Sequence, residues 1–258
     1  MRGMKGIRCV IIQGKRALVS WRFLAACLGI AAVMYTTGYP YLDESEGIVD
    51  AVGVWGFVRG TGIFIMTLAI FPLLPFSLSY AEEYNDKVLQ FWSVRMGIKT
   101  YVGIKFVVAS LAAGMSYAIG SLGCLLLYWI RVPLFLFATS GDAYAYLLEQ
   151  DQVARYLIFL LIHFSLSAAF FSGLSMCISV YFPKKFAALM LPMVGYLFLG
   201  RMGSGLPRYL NLFGYIEGTV NAGTPAISLL LKLVITIILL LVLGYCTIEK
   251  AERRSQND

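Results

Sequence analysis

Five stretches of this chain are each close to, or longer than, the twenty or so apolar residues that an α-helix needs to cross a hydrocarbon layer of about 30 Å. They are Phe23–Tyr39, Thr61–Tyr80, Tyr101–Ile130, Tyr156–Phe182 and Ala226–Thr247. A water-soluble core needs a polar covering, and these stretches have none to offer. Hydrophobic residues make up 59% of the 258 positions and charged residues 14%, against about 45–50% and about 25% in soluble domains. The chain therefore reads as an all-α integral membrane protein.

A sixth stretch, Phe186–Gly200, is shorter and contains Pro192, so its length alone allows a re-entrant segment or a kinked crossing. Charge decides it. Arg2, Lys5, Arg8, Lys15, Arg16 and Arg22 precede the first span, and no small-residue cleavage site follows, which gives a retained helix with a cytoplasmic start. Six spans return the basic Lys250–Arg254 segment to that side. The cytoplasmic segments then sum to +9 and the opposite side to −2, together the +7 of the whole chain. This obeys the positive-inside rule, and the basic balance reads as orientation in a cell membrane, not as nucleic-acid binding. The expected layout is one transmembrane domain: an interfacial helix over 1–22, six spans within 23–247 and a cytoplasmic tail over 248–258. The five cysteines are scattered, so neither a disulfide framework nor a metal site is indicated.

Two cytoplasmic segments have helical periodicity. Tyr84, Val88, Phe91 and Trp92 fall at i, i+4, i+7 and i+8, the spacing of a short amphipathic helix. At the N-terminus Ile7, Val10, Ile11, Gly14, Leu18 and Trp21 form a comparable stripe, with Arg8, Gln13, Lys15 and Arg16 outside it, as in a helix lying along the headgroups. Each segment has a plain reading as an interfacial anchor and a functional one as a docking surface.

The order of parts resembles the membrane subunit of a type-2 ATP-binding-cassette (ABC) exporter. In that family an amphipathic helix precedes six spans, an acidic residue closes the second span, a coupling helix follows, and a basic residue opens the third. Glu82 and Glu83, the Tyr84–Trp92 segment, and Tyr101 with Lys105 stand in those places. Leu206-Pro207-Arg208-Tyr209-Leu210 resembles the family's turn between the fifth and sixth spans, although Asn211-Leu212 follows where the family often has Asn-Pro or Ser-Pro. The resemblance implies a permease that binds no cofactor itself. A cytoplasmic ABC ATPase subunit would bring ATP and Mg, a second permease copy or paralogue would complete a dimer, and membrane lipid would surround it. Glu82, Glu83, Tyr84, Val88, Phe91 and Trp92 would couple the two subunits. No Gly-x-x-x-x-Gly-Lys-Ser/Thr loop occurs, so the chain has no phosphate cradle of that kind.

Rival readings rest on fewer residues. Glu82-Glu83 with Lys87, and Phe159 with His163, resemble two of the three motifs of CAAX-type intramembrane proteases, but the third needs a second histidine and His163 has no companion. Ser175 stands three turns from His163 on one predicted helix, about 18 Å away, too far for a serine dyad. His163 is then either a neutral packing residue between helices or part of a transport pathway. A non-transporting receptor or immunity protein would use the same spans without an ATPase. Arg59, Arg131, Arg155 and Lys232 lie close enough to predicted span ends to snorkel to the headgroups.

Overall fold

A computed structural model of the chain describes residues 2–42, 49–59, 64–136, 142–203 and 211–256. Among them are twelve α-helices and no strand: α1 (Arg2–Leu18), α2 (Trp21–Gly38), α3 (Ala51–Arg59), α4 (Phe64–Ala69), α5 (Ser79–Asn85), α6 (Leu89–Met96), α7 (Ile98–Arg131), α8 (Ala145–Glu149), α9 (Val153–Tyr181), α10 (Lys185–Gly203), α11 (Leu212–Glu217) and α12 (Pro225–Ser255). Five of these stretches are long and apolar enough to cross a membrane: Trp21–Leu42, Ile98–Arg131, Val153–Tyr181, Lys185–Met202 and Pro225–Ser255. The chain is a multi-pass membrane protein.

α7 is the central mast, packed against α1, α2, α9 and α12. Small residues permit the close approach. A Cβ at Gly120 would lie 2.8 Å from the Cys27 carbonyl oxygen of α2, and one at Gly114 would lie 3.1 Å from the Ser165 carbonyl oxygen of α9. Large apolar side chains at Leu111, Ile119, Leu126, Leu230, Leu241 and Tyr245 point outward, as a lipid-facing surface requires.

The predicted continuous span Thr61–Tyr80 is not one helix. Residues 60–63 lie outside the described set; beyond them α4 ends at Ala69, a 3-10 turn covers Phe71–Leu73, and α5 resumes at Ser79. Pro72 and Pro75 account for the interruption, because each removes a backbone donor and disfavours helix at the residue before it. The broken stretch still runs the length of α7. At the start of α3, which precedes it, the Ala51 amide donates to the Pro133 carbonyl at 2.9 Å, just past the C-terminus of α7. At its end Glu83 accepts from the Tyr101 hydroxyl at 2.6 Å, in the first turn of α7.

The remaining passes keep two ends distinct. Asn85 donates to the Pro183 carbonyl between α9 and α10, and Arg254 donates to the Val180 carbonyl near the end of α9. The ends of α5, α9 and α12 therefore meet the start of α7 at one face, called the Tyr101 end below. Pro192 is accommodated inside α10, a single helix of 19 residues, so the short apolar stretch is long enough to span. α12 runs on through Ser255, and the predicted tail from 248 onward is helical to that point.

Two faces of α1 are used. Of the predicted stripe, Val10 and Ile11 are exposed, as is Trp21 at the start of α2, whereas Gly14 and Leu18 are half-buried; Cys9, Gln13 and Ala17 are buried, at the i, i+4, i+8 spacing of a second face, the one α1 turns to the core. Gln13, expected on the polar side, instead donates to the Tyr101 hydroxyl at 3.3 Å.

Candidate functional site

The two candidate carboxylates sit on α5 at the Tyr101 end, each held by cations from distant elements. Glu83 lies 2.7 Å from Lys105 Nζ of α7 and 3.1 Å from Arg16 of α1, and takes the Tyr101 hydroxyl. Lys105, expected to open a span at the membrane surface, is fully buried and also donates to Ser79 Oγ at 3.1 Å. Glu82 accepts from Arg22 at 2.9 Å and lies 3.4 Å from Lys185 at the start of α10. Burial raises the Glu82 carboxyl, but the hydrogen bond and charge of Arg22, aided by Lys185, outweigh it and hold the group below the usual carboxylate range. The cations nearest in sequence on the following segment, Lys87 and Arg95, are both exposed and make no ion pair with these glutamates. α5 thus ties the N-terminal helices, α7 and α10 together.

The predicted Tyr84–Trp92 helix is split. α5 ends at Asn85, Lys87 takes a left-handed conformation (φ 57°), and α6 begins at Leu89. The break rotates the four stripe residues out of register. Tyr84 stacks on Tyr80 and lies under the Arg254 guanidinium at 4.2 Å, while Trp92 lies parallel to Tyr101 with ring centres 5.7 Å apart. Val88 is exposed, and Phe91 is 73% exposed. Of the four aromatic and apolar positions, Tyr84 therefore braces α5 against α12, Trp92 braces α6 against α7, and two face outward. Beneath them a cleft of about 650 Å³ opens between the α5–α6 junction and the end of α12, with Lys87, Gln90, Ile98 and Arg254 among its walls.

His163 stands far from these carboxylates. Met176 and Val180, which pack with Tyr80 and Tyr101 beside Glu83, lie more than three turns farther along α9, about 20 Å. The two protease-like motifs are therefore not brought together. Ser175 donates to the Ala188 carbonyl at 2.7 Å, committed to backbone. Both ring nitrogens of His163 are engaged: Nε2 is 3.2 Å from the Ile216 carbonyl and Nδ1 is 2.9 Å from the Tyr144 hydroxyl. A carbonyl only accepts, so Nε2 carries a proton and donates to Ile216. The histidine pins α9 to α11 and to the segment before α8. On this end Asp142 accepts from the Tyr156 hydroxyl at 2.7 Å. Glu217 accepts from Tyr196 at 2.8 Å; burial raises its carboxyl, and the Tyr196 hydroxyl only partly offsets that.

Two cations read as snorkelling residues are instead inside. Lys232 is 3% exposed and donates to Ser167 Oγ and to the Tyr215 carbonyl, each at 2.8 Å. Arg59 is 7% exposed, with its guanidinium 4.2 Å from the Trp55 ring centre and 5.2 Å from that of Phe164. Distance from a predicted helix end does not reveal which face a residue occupies, and both faces here point to α9. Arg131 and Arg155 are exposed, as expected.

Among the described residues no group of three or more His, Cys, Asp or Glu side chains is placed to hold a metal. The turn at Leu206–Leu210 lies outside them, but Asn211 is seen to cap α11 by accepting from the Phe213 and Gly214 amides. Compared with protein families, curated proteins and solved structures, the chain has no match.

Proposed function

We propose that the chain is the permease subunit of a type-2 ABC exporter, crossing the cell membrane six times with both termini in the cytoplasm. The second crossing is the discontinuous stretch from α3 to α5. Its partners are a cytoplasmic ATPase subunit, which binds ATP and Mg, and a second permease copy or paralogue.

One observation carries this reading. Phe91 projects from a short helix at the base-rich end of the molecule, on a segment braced by Trp92 on Tyr101. An exposed aromatic on a rigid support is the kind of residue that anchors a protein interface. Glu82 and Glu83 then act behind the surface: their ion pairs to α1, α2, α7 and α10 transmit a push on α6 to four elements at once. The interrupted second crossing suits a path, since non-helical backbone at membrane depth is tolerated where it lies in protein or lines a cavity. The order of parts and the positive-inside balance agree with the same reading.

The test is a search of the adjacent reading frames for an ABC ATPase, followed by co-expression of that ATPase with this chain. The two are expected to co-purify, and Phe91→Ala is expected to weaken the complex by about 2 kcal/mol, or roughly thirtyfold. An ATPase that fails to co-purify, or a Phe91→Ala complex of unchanged affinity, contradicts the proposal and leaves a non-transporting membrane protein.

A further inference from the structure

Burying a cation in a membrane protein is expensive unless an anion or a set of acceptors satisfies it. Arg59 has very few. Its Nε donates to the Trp55 carbonyl at 3.0 Å, and its Nη2 is buried without an acceptor. The indole Nε1 of Trp55, whose ring the guanidinium covers, is likewise buried without an acceptor. Two adjacent donors on α3 are thus unfilled. Lys232 adds a second buried cation, reaching α9 at Ser167 one turn beyond the His163–Phe164 pair that Arg59 meets.

No described carboxylate lies within ion-pair distance of either cation. Among the contacts seen at this end, Asp50 accepts from the Gly53 and Leu136 amides, Asp142 from the Tyr156 hydroxyl and the Tyr144 amide, and Glu217 from the Tyr196 hydroxyl. His163 is itself hydrogen-bonded at both ring nitrogens. The result is a locally cationic, aromatic-walled region with open hydrogen-bond donors.

We infer that Arg59 and Trp55 form a binding site for an anionic oxygen group, a phosphate or carboxylate, with Lys232 strengthening the local positive field. A guanidinium offers paired donors matched to such groups. The group could belong to a soluble anion or to a lipid headgroup, and the chemistry of recognition is the same. Binding rests on this geometry alone; only its role in transport, as the place where the charged part of an amphiphilic cargo is held, rests on the exporter reading.

Trp55 is its own reporter. In the full chain reconstituted into phosphatidylcholine nanodiscs, with Trp21, Trp92 and Trp129 replaced by Phe, inorganic phosphate is titrated while Trp55 emission is followed. In a parallel arm phosphatidylglycerol replaces part of the lipid and no phosphate is added. A saturable change in the first arm identifies a soluble anion, and one in the second a headgroup. Arg59→Gln is expected to weaken the response at least about tenfold, the loss of one charge-assisted hydrogen bond, and Arg59→Lys to recover part of it. No response in either arm, or an equal response in Arg59→Gln, overturns the site. If the reporter chain or Arg59→Gln does not fold by circular dichroism, calorimetry on the natural chain against Lys232→Gln makes the same comparison: phosphate or phosphatidylglycerol binding that weakens supports the site, and none, or none that weakens, overturns it. The ATPase is absent throughout, so a negative result leaves the exporter proposal untouched.

Discussion

Lys105 Nζ lies 2.7 Å from Glu83 Oε2, with the lysine wholly buried and the carboxylate nearly so. The two residues are not equivalent in this pair. Glu83 also holds Arg16 and the Tyr101 hydroxyl, whereas Lys105 has one anion, Glu83, with Ser79 Oγ and the Phe76 and Tyr101 rings as its uncharged neighbours. Glu83→Leu therefore strands a buried cation and is expected to cost about 3–5 kcal/mol. Lys105→Met leaves the carboxylate with two partners and costs less, about 1–3 kcal/mol. The double variant recovers much of the Glu83→Leu loss, because the stranded charge is gone. Denaturant unfolding in detergent measures all three; equal losses from the single variants would show that the pair is not asymmetric.

Glu82 and Glu217 give opposite responses to pH. The Glu82 carboxyl is held low by Arg22 and Lys185, so its stabilisation is present above the ordinary carboxylate range and disappears as pH falls through the depressed value. Glu82→Gln should lose about 1 kcal/mol at neutral pH, and the loss should vanish in acid. The Glu217 carboxyl is raised by burial, so its ionisation weakens the fold as pH rises through the raised value. Glu217→Gln, which keeps an acceptor for Tyr196, is expected to stabilise at neutral pH with no difference in acid. Unfolding midpoints across pH check both signs.

Close helix approach makes a third expectation. A methyl at Gly120 meets the Cys27 carbonyl oxygen and the Ile30 Cβ, both at 2.8 Å, and neither is the free end of a flexible side chain. Gly120→Ala should force α2 from α7 and cost about 1–3 kcal/mol. Gly195 in α10 has nothing within 4 Å of its added methyl, so Gly195→Ala should be neutral or stabilising by up to about 1 kcal/mol through helix propensity.

Phe91 and Trp92 are expected to part company. Sequence periodicity placed both on one docking face, but Trp92 stacks on Tyr101 while Phe91 faces outward. Trp92→Ala should reduce stability by about 1–2 kcal/mol, whereas Phe91→Ala should leave the melting temperature unchanged. Thermal unfolding of the two variants side by side distinguishes these roles; a fall in stability for Phe91→Ala would mean that its ring is packed.

The long helices were legible because an unbroken apolar run has one solution in lipid, and α7, α9 and α12 follow those runs to within a few residues except where α12 continues through Ser255. The second stretch was not, since hydropathy registers Pro72 and Pro75 as mild interruptions while the backbone must break there. Site partners were least legible. Periodicity relates Glu83 to neighbours three or four positions away, but its cations come from Arg16 and Lys105, brought in by helix packing. Gln13, Arg59 and Lys232 show the same limit: a polar residue near a helix end looks solvated until a second helix covers it.

The functional account depends on Phe91 facing the cytoplasm, and hence on the broken α3–α5 stretch crossing the membrane. Single cysteines at Asn85, Arg95, Glu149 and Gln256, in a chain without its five native cysteines, can be labelled in intact cells with an impermeant thiol reagent. Six crossings predict labelling at Glu149 alone, with Asn85, Arg95 and Gln256 reactive only after permeabilisation. Labelling of Asn85 or Arg95 from outside would put α6 on the wrong face and contradict the coupling role at its root.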